Sequence, residues 1–367
     1  MGDHPVIPDY GGACIASVIP ALLEPSPGEV PPWLPACAAH AHQVVVLILD
    51  GLGWEQLEAR RGLAPTLDAM TGGPVTSVVP TTTATALTSI ATGLTPAEHG
   101  VVGYRLHVQG EVLNVLRWTT PSGDARQRID PERFQPHTAF CGHRPPIVTK
   151  AEFASSGFSG AHLSDVRFNG YRLTSTLITE VRRLLHAGES FIYAYYDGID
   201  KVAHEYGLGE HYDAELVSAD RLVADLLSVL PTGAALVVTA DHGQVDVGDA
   251  LVALHPDVAS LVAFQSGEGR FRWLHARSGR VDALLEAARA HHGDQAWVRT
   301  VDETVLEGWW GGDLTDANRD RLGDVALVAI EPVAFTDPVD AGPFHLVGRH
   351  GSLTSAEMLV PLVAGSR

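Results

Sequence analysis

Three uninterrupted apolar runs, each closed by an aspartate, set the frame of this chain: QVVVLILD at 43–50, FIYAYYD at 191–197 and AALVVTAD at 234–241. A run with no polar alternation is the pattern of a strand covered on both faces, as strands of parallel sheets are. Between the runs, apolar residues recur at intervals of three and four. Leu216, Ala219, Val223, Leu226 and Leu230 do so within 212–230, and Leu177, Val181, Leu184 and Leu185 within 174–187. That spacing predicts helices with one buried stripe. Strands alternating with helices predict an α/β fold built on a doubly wound, mostly parallel sheet with helices on both faces. Such sheets place their chemistry beyond the carboxyl ends of the strands, where Asp50, Asp197 and Asp241 fall.

The remaining segments attach to this frame. A short helical stretch, Ala16–Leu23, precedes a proline-rich segment at 25–35 and is expected to pack outside the core. Residues 105–165 have little periodicity and many polar and proline positions, so a loop-rich excursion over the site is expected there. Residues 255–340 contain FRWLHA, the helix-like VDALLEAARAHH and the strand-like DVALVAI. They are expected to form a smaller inserted α+β subdomain, with 1–254 and 341–367 as the core. A length of 367 residues accommodates both.

Composition narrows the function classes. At 45% hydrophobic and 19% charged residues the chain is an ordinary globular protein, neither disordered nor fibrous. Acidic residues outnumber basic ones 44 to 25, which argues against a nucleic-acid scaffold as partner. Cys14, Cys37 and Cys141 are too few and scattered for a disulfide framework. The first residues lack a basic region, and the apolar stretch that follows is broken by Pro20, Glu24 and Pro25. No apolar run approaches the ~20 residues of a membrane span. A cytoplasmic protein without membrane attachment is expected.

Four patches could carry chemistry, and each has a plainer explanation. Asp50-Gly-Leu-Gly53 follows a strand but has Gln56 where a dinucleotide fingerprint needs a third glycine. It is a strand-end carboxylate or simply a strand-to-helix turn. The threonine cluster Thr81-Thr82-Thr83-Ala84-Thr85 opens a helix that ends near Gly93, so a threonine there is a helix cap or a nucleophile beside a phosphate-attracting helix start. Asp200 and His204 are four apart and share a helix face. They form a metal chelate or an unrelated pair. Asp241-His242 closes a buried strand, and His350 stands in GRHGSLT. Both side-chain types are costly to bury unless paired or ligated, and a lone histidine is more often a hydrogen-bonded structural residue.

The order of these residues, with the motifs VLILDGLG, PTTTATALTSIATGLTPAEHG, DKVAHEYG, TADHG and GRHGSLTSAEMLVPL, resembles the alkaline phosphatase superfamily. Within it the resemblance is to the type I phosphodiesterase and nucleotide pyrophosphatase family, from about Val44 to Leu362. It implies two divalent metal ions, zinc by preference and manganese or iron as alternatives. Asp200, His204 and His350 would hold one; Asp50, Thr83, Asp241 and His242 the other. Thr83 would be the nucleophile, placed by counting back from the Thr-Gly pair at the helix end. A metal ion activates such a hydroxyl, and a second clamps the far side of an in-line displacement.

The resemblance also has a gap. The family commonly carries an asparagine three residues after the nucleophile, and here that position is Ala86. Loss of such a donor costs about 3 kcal/mol in the transition state unless replaced. Asn169 is the candidate substitute for binding substrate, with backbone amides at the helix start as an alternative. Tyr104, Trp118, Trp309 and Trp310 could shape a leaving-group pocket but are more readily packing residues, and His99 is expected to be structural. The expected activity is hydrolysis of a small phosphodiester or nucleotide pyrophosphate. The alternatives are a phosphomonoesterase or phosphonate hydrolase with the same centre, and a non-catalytic metal-dependent binding protein.

Overall fold

A computed structural model describes residues 4–25, 28, 30–340 and 345–367. Positions 26, 27 and 29 of the proline-rich segment, and 341–344 at the expected return to the core, lie outside the described residues. The three apolar runs form β1 (Gln43–Leu49), β5 (Phe191–Tyr196) and β6 (Ala234–Thr239), with β1 at the centre and parallel to both others. Six of the seven β1 residues are buried, as a strand covered on both faces requires. Four further strands complete the sheet: β2 (Thr71–Thr76), β3 (Pro146–Lys150), β4 (Arg167–Tyr171) and β7 (Leu359–Ser366). The order is β2-β7-β6-β1-β5-β3-β4. Only β7 runs against its neighbours, pairing antiparallel with β6 and with β2.

The helices that matter for the site are α1 (Ile15–Leu23), α2 (Thr83–Thr92), α3 (Thr174–His186), α4 (Gly198–Tyr206) and α5 (Glu210–Val229). Every residue of α2 is buried although half of them carry hydroxyls. The hydroxyls of Thr88 and Thr92 donate to the carbonyls of Ala84 and Thr88 at 2.7 Å, which removes much of the cost of burying them. The helix stops at Gly93, whose φ of 72° is left-handed.

The stretch 105–165 holds more order than its periodicity suggests. Arg105–Val108, Glu111–Asn114, Thr119–Thr120 and Gly123–Asp124 make a four-stranded antiparallel sheet, and β3 belongs to the central sheet, parallel to β5 and β4. Prolines at 145 and 146 and the polar end Thr149-Lys150 hide that strand from an apolar-run criterion.

Within 255–340, Val262–Glu268, Phe271–Ala276, Val325–Ala329 and Ala296–Thr300 form an antiparallel sheet in that order. Alternation sorts its two faces. Val325, Leu327 and Ala329 pack with Leu284 and Ala288 of the helix Val281–His292, while Ala326 and Val328 join Phe271, Trp273, Trp309 and Trp310 in the main core. Leu251–Val252 pairs with Ala334–Phe335, so the two ends of the segment meet.

One buried ion pair ties this segment to the loop that carries His350. Arg270 Nε and Nη2 each lie 2.8 Å from a Glu357 carboxylate oxygen, and both side chains are fully buried. Glu357 also accepts from the Ser352 amide at 2.9 Å and the Thr354 hydroxyl at 2.6 Å. Arg270→Met strands that carboxylate without its cation. A loss of about 3–5 kcal/mol is expected, read as a fall in denaturant midpoint. A midpoint equal to that of wild type would show that the pair contributes nothing.

Candidate functional site

The parallel strands deliver their ends to one edge. Asp50 follows β1, and Asp241 follows β6 after one intervening alanine. The Asp50 amide donates to the Tyr196 carbonyl, and the Asp50 carbonyl accepts from the Asp200 amide, so the loops after β1 and β5 are stitched together. Gly51 makes this possible. Its φ is 77°, and a Cβ there would sit 3.0 Å from the Asp200 Cα.

Asp50, Thr83, Asp241 and His242 converge. His242 Nε2 lies 3.2 Å from Thr83 Oγ1, 3.3 Å from Asp241 Oδ2 and 3.5 Å from Asp50 Oδ1. Asp241 Oδ1 accepts from the amides of Gly51 and His242, and Asp50 Oδ2 accepts from the Tyr195 hydroxyl. The other oxygen of each carboxylate is buried without a hydrogen-bond partner. Asp200, His204 and His350 form an adjoining group. His204 Nε2 is 3.2 Å from Asp200 Oδ1 and 3.2 Å from His350 Nε2, which is 3.8 Å from the same Asp200 oxygen. The rings of His242 and His350 stack at 3.6 Å, joining the two groups.

Hydrogen bonding sets the tautomers. The Nδ1 atoms of His204, His350 and His242 face the carbonyls of Gly348, Thr81 and Gly243 at 2.7, 2.8 and 3.1 Å. A carbonyl accepts only, so each Nδ1 carries the proton and each Nε2 presents a lone pair. The Nε2 atoms therefore aim lone pairs at carboxylate oxygens and at one another, which is repulsive unless a cation lies among them. Donors 2.0–2.2 Å from a tetrahedral ion sit roughly 3.3–3.6 Å apart, close to the spacing within both groups. The residues fit divalent metal ions.

Electrostatics agree. Burial, then Asp241 and Asp200, push the Asp50 carboxyl well above the usual carboxylate range. Burial also raises Asp241, with Asp200 adding to it against the opposing pull of His242. Burial, then His242 and His204, hold the His350 imidazole well below its ordinary value. Each shift expresses charge that the protein alone does not neutralise.

The four threonines are told apart by what their hydroxyls meet. Thr81 Oγ1 donates to the Ser352 carbonyl and accepts from the Gly351 amide. Thr82 turns to Glu268. Thr85 is fully buried without a partner. Thr83 alone of the four reaches both His242 and the cavity beside it. That cavity holds about 220 Å³ and is walled largely by apolar side chains such as Leu87, Leu116, Phe153 and Phe158.

Several expected residues lie elsewhere. Asn169 is on the edge strand β4, where its amide donates to the Arg167 carbonyl and its oxygen accepts from Arg183 of α3. It does not line the cavity, so it is corrected from a substrate-binding residue to an edge-strand contact. Asn114 and Asn318 are likewise engaged, with the Tyr104 hydroxyl and the Ala97 carbonyl. At the start of α2, Thr82 provides no side-chain cap, which leaves the first-turn amides of Thr83, Ala84 and Thr85 as donors. Trp118, Trp309 and Trp310 are fully buried packing residues, their indole N–H groups bonded to the Ile129 carbonyl, Glu307 and Thr304.

Sequence reasoning missed Tyr195, which anchors Asp50, and Gln244, whose amide donates to Asp200 Oδ1 at 2.6 Å. It also missed Glu268, which reaches in from the 255–340 segment to 4.0 Å from His350 Nδ1. Burial raises the Glu268 carboxyl to about 8. Only the pairing of Asp241-His242 with the following Gln244 could have drawn notice.

That edge holds two carboxylate–imidazole groups beside a threonine at a helix start, and the family whose pattern the chain matches is one of phosphoric ester hydrolases. Residues 44–353 match the type I phosphodiesterase / nucleotide pyrophosphatase family, and the chain belongs to it. Among solved structures, murine ectonucleotide pyrophosphatase / phosphodiesterase 5, in an inactive form with AMP, is similar with a TM-score of 0.65 at 17% identity over 88% of this chain and 87% of that one. Phosphonoacetate hydrolase from Sinorhizobium meliloti, with phosphonoformate, gives 0.61 at 19% over 89% and 90%. At these identities the likeness is one of fold. No curated relative matches the chain. None of the described helices is long and apolar enough to cross a membrane.

His99 is structural. It is buried, with Nε2 2.8 Å from Ser89 Oγ and Nδ1 accepting from the Val101 amide, and burial holds its imidazole at about 3. Between that value and the ordinary 6.5 the unfolded chain binds the extra proton. The stability contributed by neutral His99 is therefore complete above pH 6.5 and is lost as pH falls through that window. His99→Gln is expected to lose less stability than wild type between pH 7 and 4 in thermal unfolding. Equal losses would contradict a buried neutral imidazole.

Proposed function

We propose that this chain hydrolyses small phosphoric esters through Thr83 and two divalent metal ions, zinc by preference. Asp50, Thr83, Asp241 and His242 hold one ion, and Asp200, His204 and His350 the other. The observation that carries the reading is the pair of buried, unpartnered carboxylate oxygens of Asp50 and Asp241 facing the His242 Nε2 lone pair at 3.5 and 3.3 Å, with Thr83 Oγ1 in the same cluster. Bound metal ions supply a lowered hydroxyl pKa and stabilise charge developing on phosphorus and on the leaving oxygen.

The chain's own residues do the rest. Thr83, rigid at the start of a wholly buried helix, presents its oxygen to phosphorus at the cavity. Attack displaces the leaving group and forms a phosphothreonine ester, which water then hydrolyses to restore the hydroxyl. First-turn amides of α2 donate to the phosphoryl oxygens in place of the asparagine missing at Ala86. Tyr195 fixes the Asp50 carboxylate, and Gln244 fixes Asp200.

A cavity of about 220 Å³ favours a small leaving group, since sites that enclose larger ligands run to roughly 300 Å³ and above. This supports a phosphonate or simple ester hydrolase as the second reading beside a phosphodiesterase acting on nucleotides.

Two measurements test the assignment. Thr83→Ala is expected to cut turnover of bis(4-nitrophenyl) phosphate by roughly a thousandfold or more, while metal content by elemental analysis stays at the wild-type level. Unchanged turnover would remove Thr83 as nucleophile. Exhaustive chelation is expected to abolish activity, and added zinc to restore it. Full activity in chelated protein with no residual metal would overturn the two-ion centre.

A further inference from the structure

A second group of metal-type side chains stands on the 255–340 segment and shares no residue with the sheet edge. His255 Nδ1 lies 3.5 Å, and His291 Nε2 3.2 Å, from one and the same oxygen, Asp257 Oδ2. One donor atom from each of the three residues lies within 4.8 Å of the other two. The two imidazoles stack with centroids 3.6 Å apart and planes 8° apart. His255 and Asp257 flank Pro256 at the start of the helix Pro256–Ala259, and His291 is in the last turn of the helix Val281–His292.

The fold places these donors before any ion is bound. The His255 amide donates to His292 Nε2 at 3.1 Å, and His292 is buried. That nitrogen is spent on the backbone, so His292 is a positioning residue. Its ring stands edge-on to Phe335 at 5.5 Å, in the short pairing that joins the two ends of the segment. Val258 packs in one core with Leu284 and Ala288, which fixes the two helices to each other. Ion pairs between free surface side chains gain little because ordering them costs entropy, and here the backbone has imposed much of that order. The His255 tautomer adds a second argument. Its Nδ1 accepts from the Asp257 amide at 3.3 Å, so a lone pair and not a proton faces Asp257 Oδ2. Two acceptors side by side repel, and a cation between them makes their closeness favourable. Donors 2.0–2.2 Å from a tetrahedral ion sit roughly 3.3–3.6 Å apart, close to both contacts. The last torsion of a histidine is soft, so His291 can turn out of the stack and aim Nε2 at the same ion.

We propose that His255, Asp257 and His291 bind one divalent transition-metal ion, zinc by preference, with water in the fourth position. Magnesium and calcium favour oxygen ligands and are excluded by two imidazoles among three donors. The site opens to solvent, the Asp257 side chain being 69% exposed. Its role is structural. The ion closes the loop from 255 to 291, which contains the two strands that carry Glu268 and Arg270 towards the His350 loop. The inference does not depend on Thr83 or on the ions at the sheet edge.

Equilibrium dialysis of the full chain against micromolar zinc, followed by elemental analysis, tests it. Wild type is expected to hold one zinc ion per chain more than His291→Ala, and Asp257→Asn to lose the same ion. Zinc at roughly 100 times its dissociation constant is expected to raise the wild-type Tm by about 3 °C or more beyond its effect on His291→Ala. Should His291→Ala misfold, Asp257→Asn carries the same comparison with the shape of the side chain retained. Equal zinc content in wild type and both variants overturns the site. So does a difference that appears only at millimolar zinc, or an equal Tm increment from magnesium. Neither readout involves turnover, so loss of the ester-hydrolase reading would leave this one standing, and the reverse.

Discussion

The whole architecture answers one electrostatic constraint: carboxylate oxygens and imidazole lone pairs are crowded at a buried sheet edge where burial penalises the charge they carry. Asp50 and Asp241 are nearly or wholly inaccessible, and each keeps one oxygen without a partner. In a low-dielectric site such repulsion is weakly screened, so the surrounding fold must hold these groups in place. The parallel strands deliver the aspartates, while backbone carbonyls of Gly348, Thr81 and Gly243 orient the rings. The Tyr195 hydroxyl fixes the one Asp50 oxygen that does not face the cluster.

The segment 255–340 is part of that support. Arg270 reaches from its sheet to Glu357, Glu357 fixes the Ser352 amide, and His350 stands two residues away. The hairpin joining Val262–Glu268 to Phe271–Ala276 also carries Glu268 against His350. The position of the last imidazole in the sequence is thus set by residues some eighty positions earlier, through a charge pair that water cannot reach.

Legibility followed the strength of the local signal. β1, β5, β6, α3 and α5 have long, unbroken patterns and stand where periodicity places them. β3 was invisible because a proline pair opens it and polar residues close it, although tertiary pairing with β5 and β4 makes it a strand. The antiparallel direction of β7 is likewise a property of the neighbours it pairs with, not of its own residues. The substitution of Asn169 for the missing family asparagine failed for the same reason, since residue type could not reveal that its strand lies at the sheet edge with its amide turned to α3.

What the residues alone determined was the inventory and its order: strand-end aspartates, a threonine cluster opening a helix, an Asp–His pair four apart, and a late histidine. These are consequences of burial pattern and short-range spacing, which are local properties of a chain. Which threonine oxygen faces His242, which carboxylate oxygens are left unpartnered, and where His255 and His291 meet one aspartate were decided by tertiary structure. Those facts depend on angles and separations between segments far apart in sequence, and no local pattern encodes them.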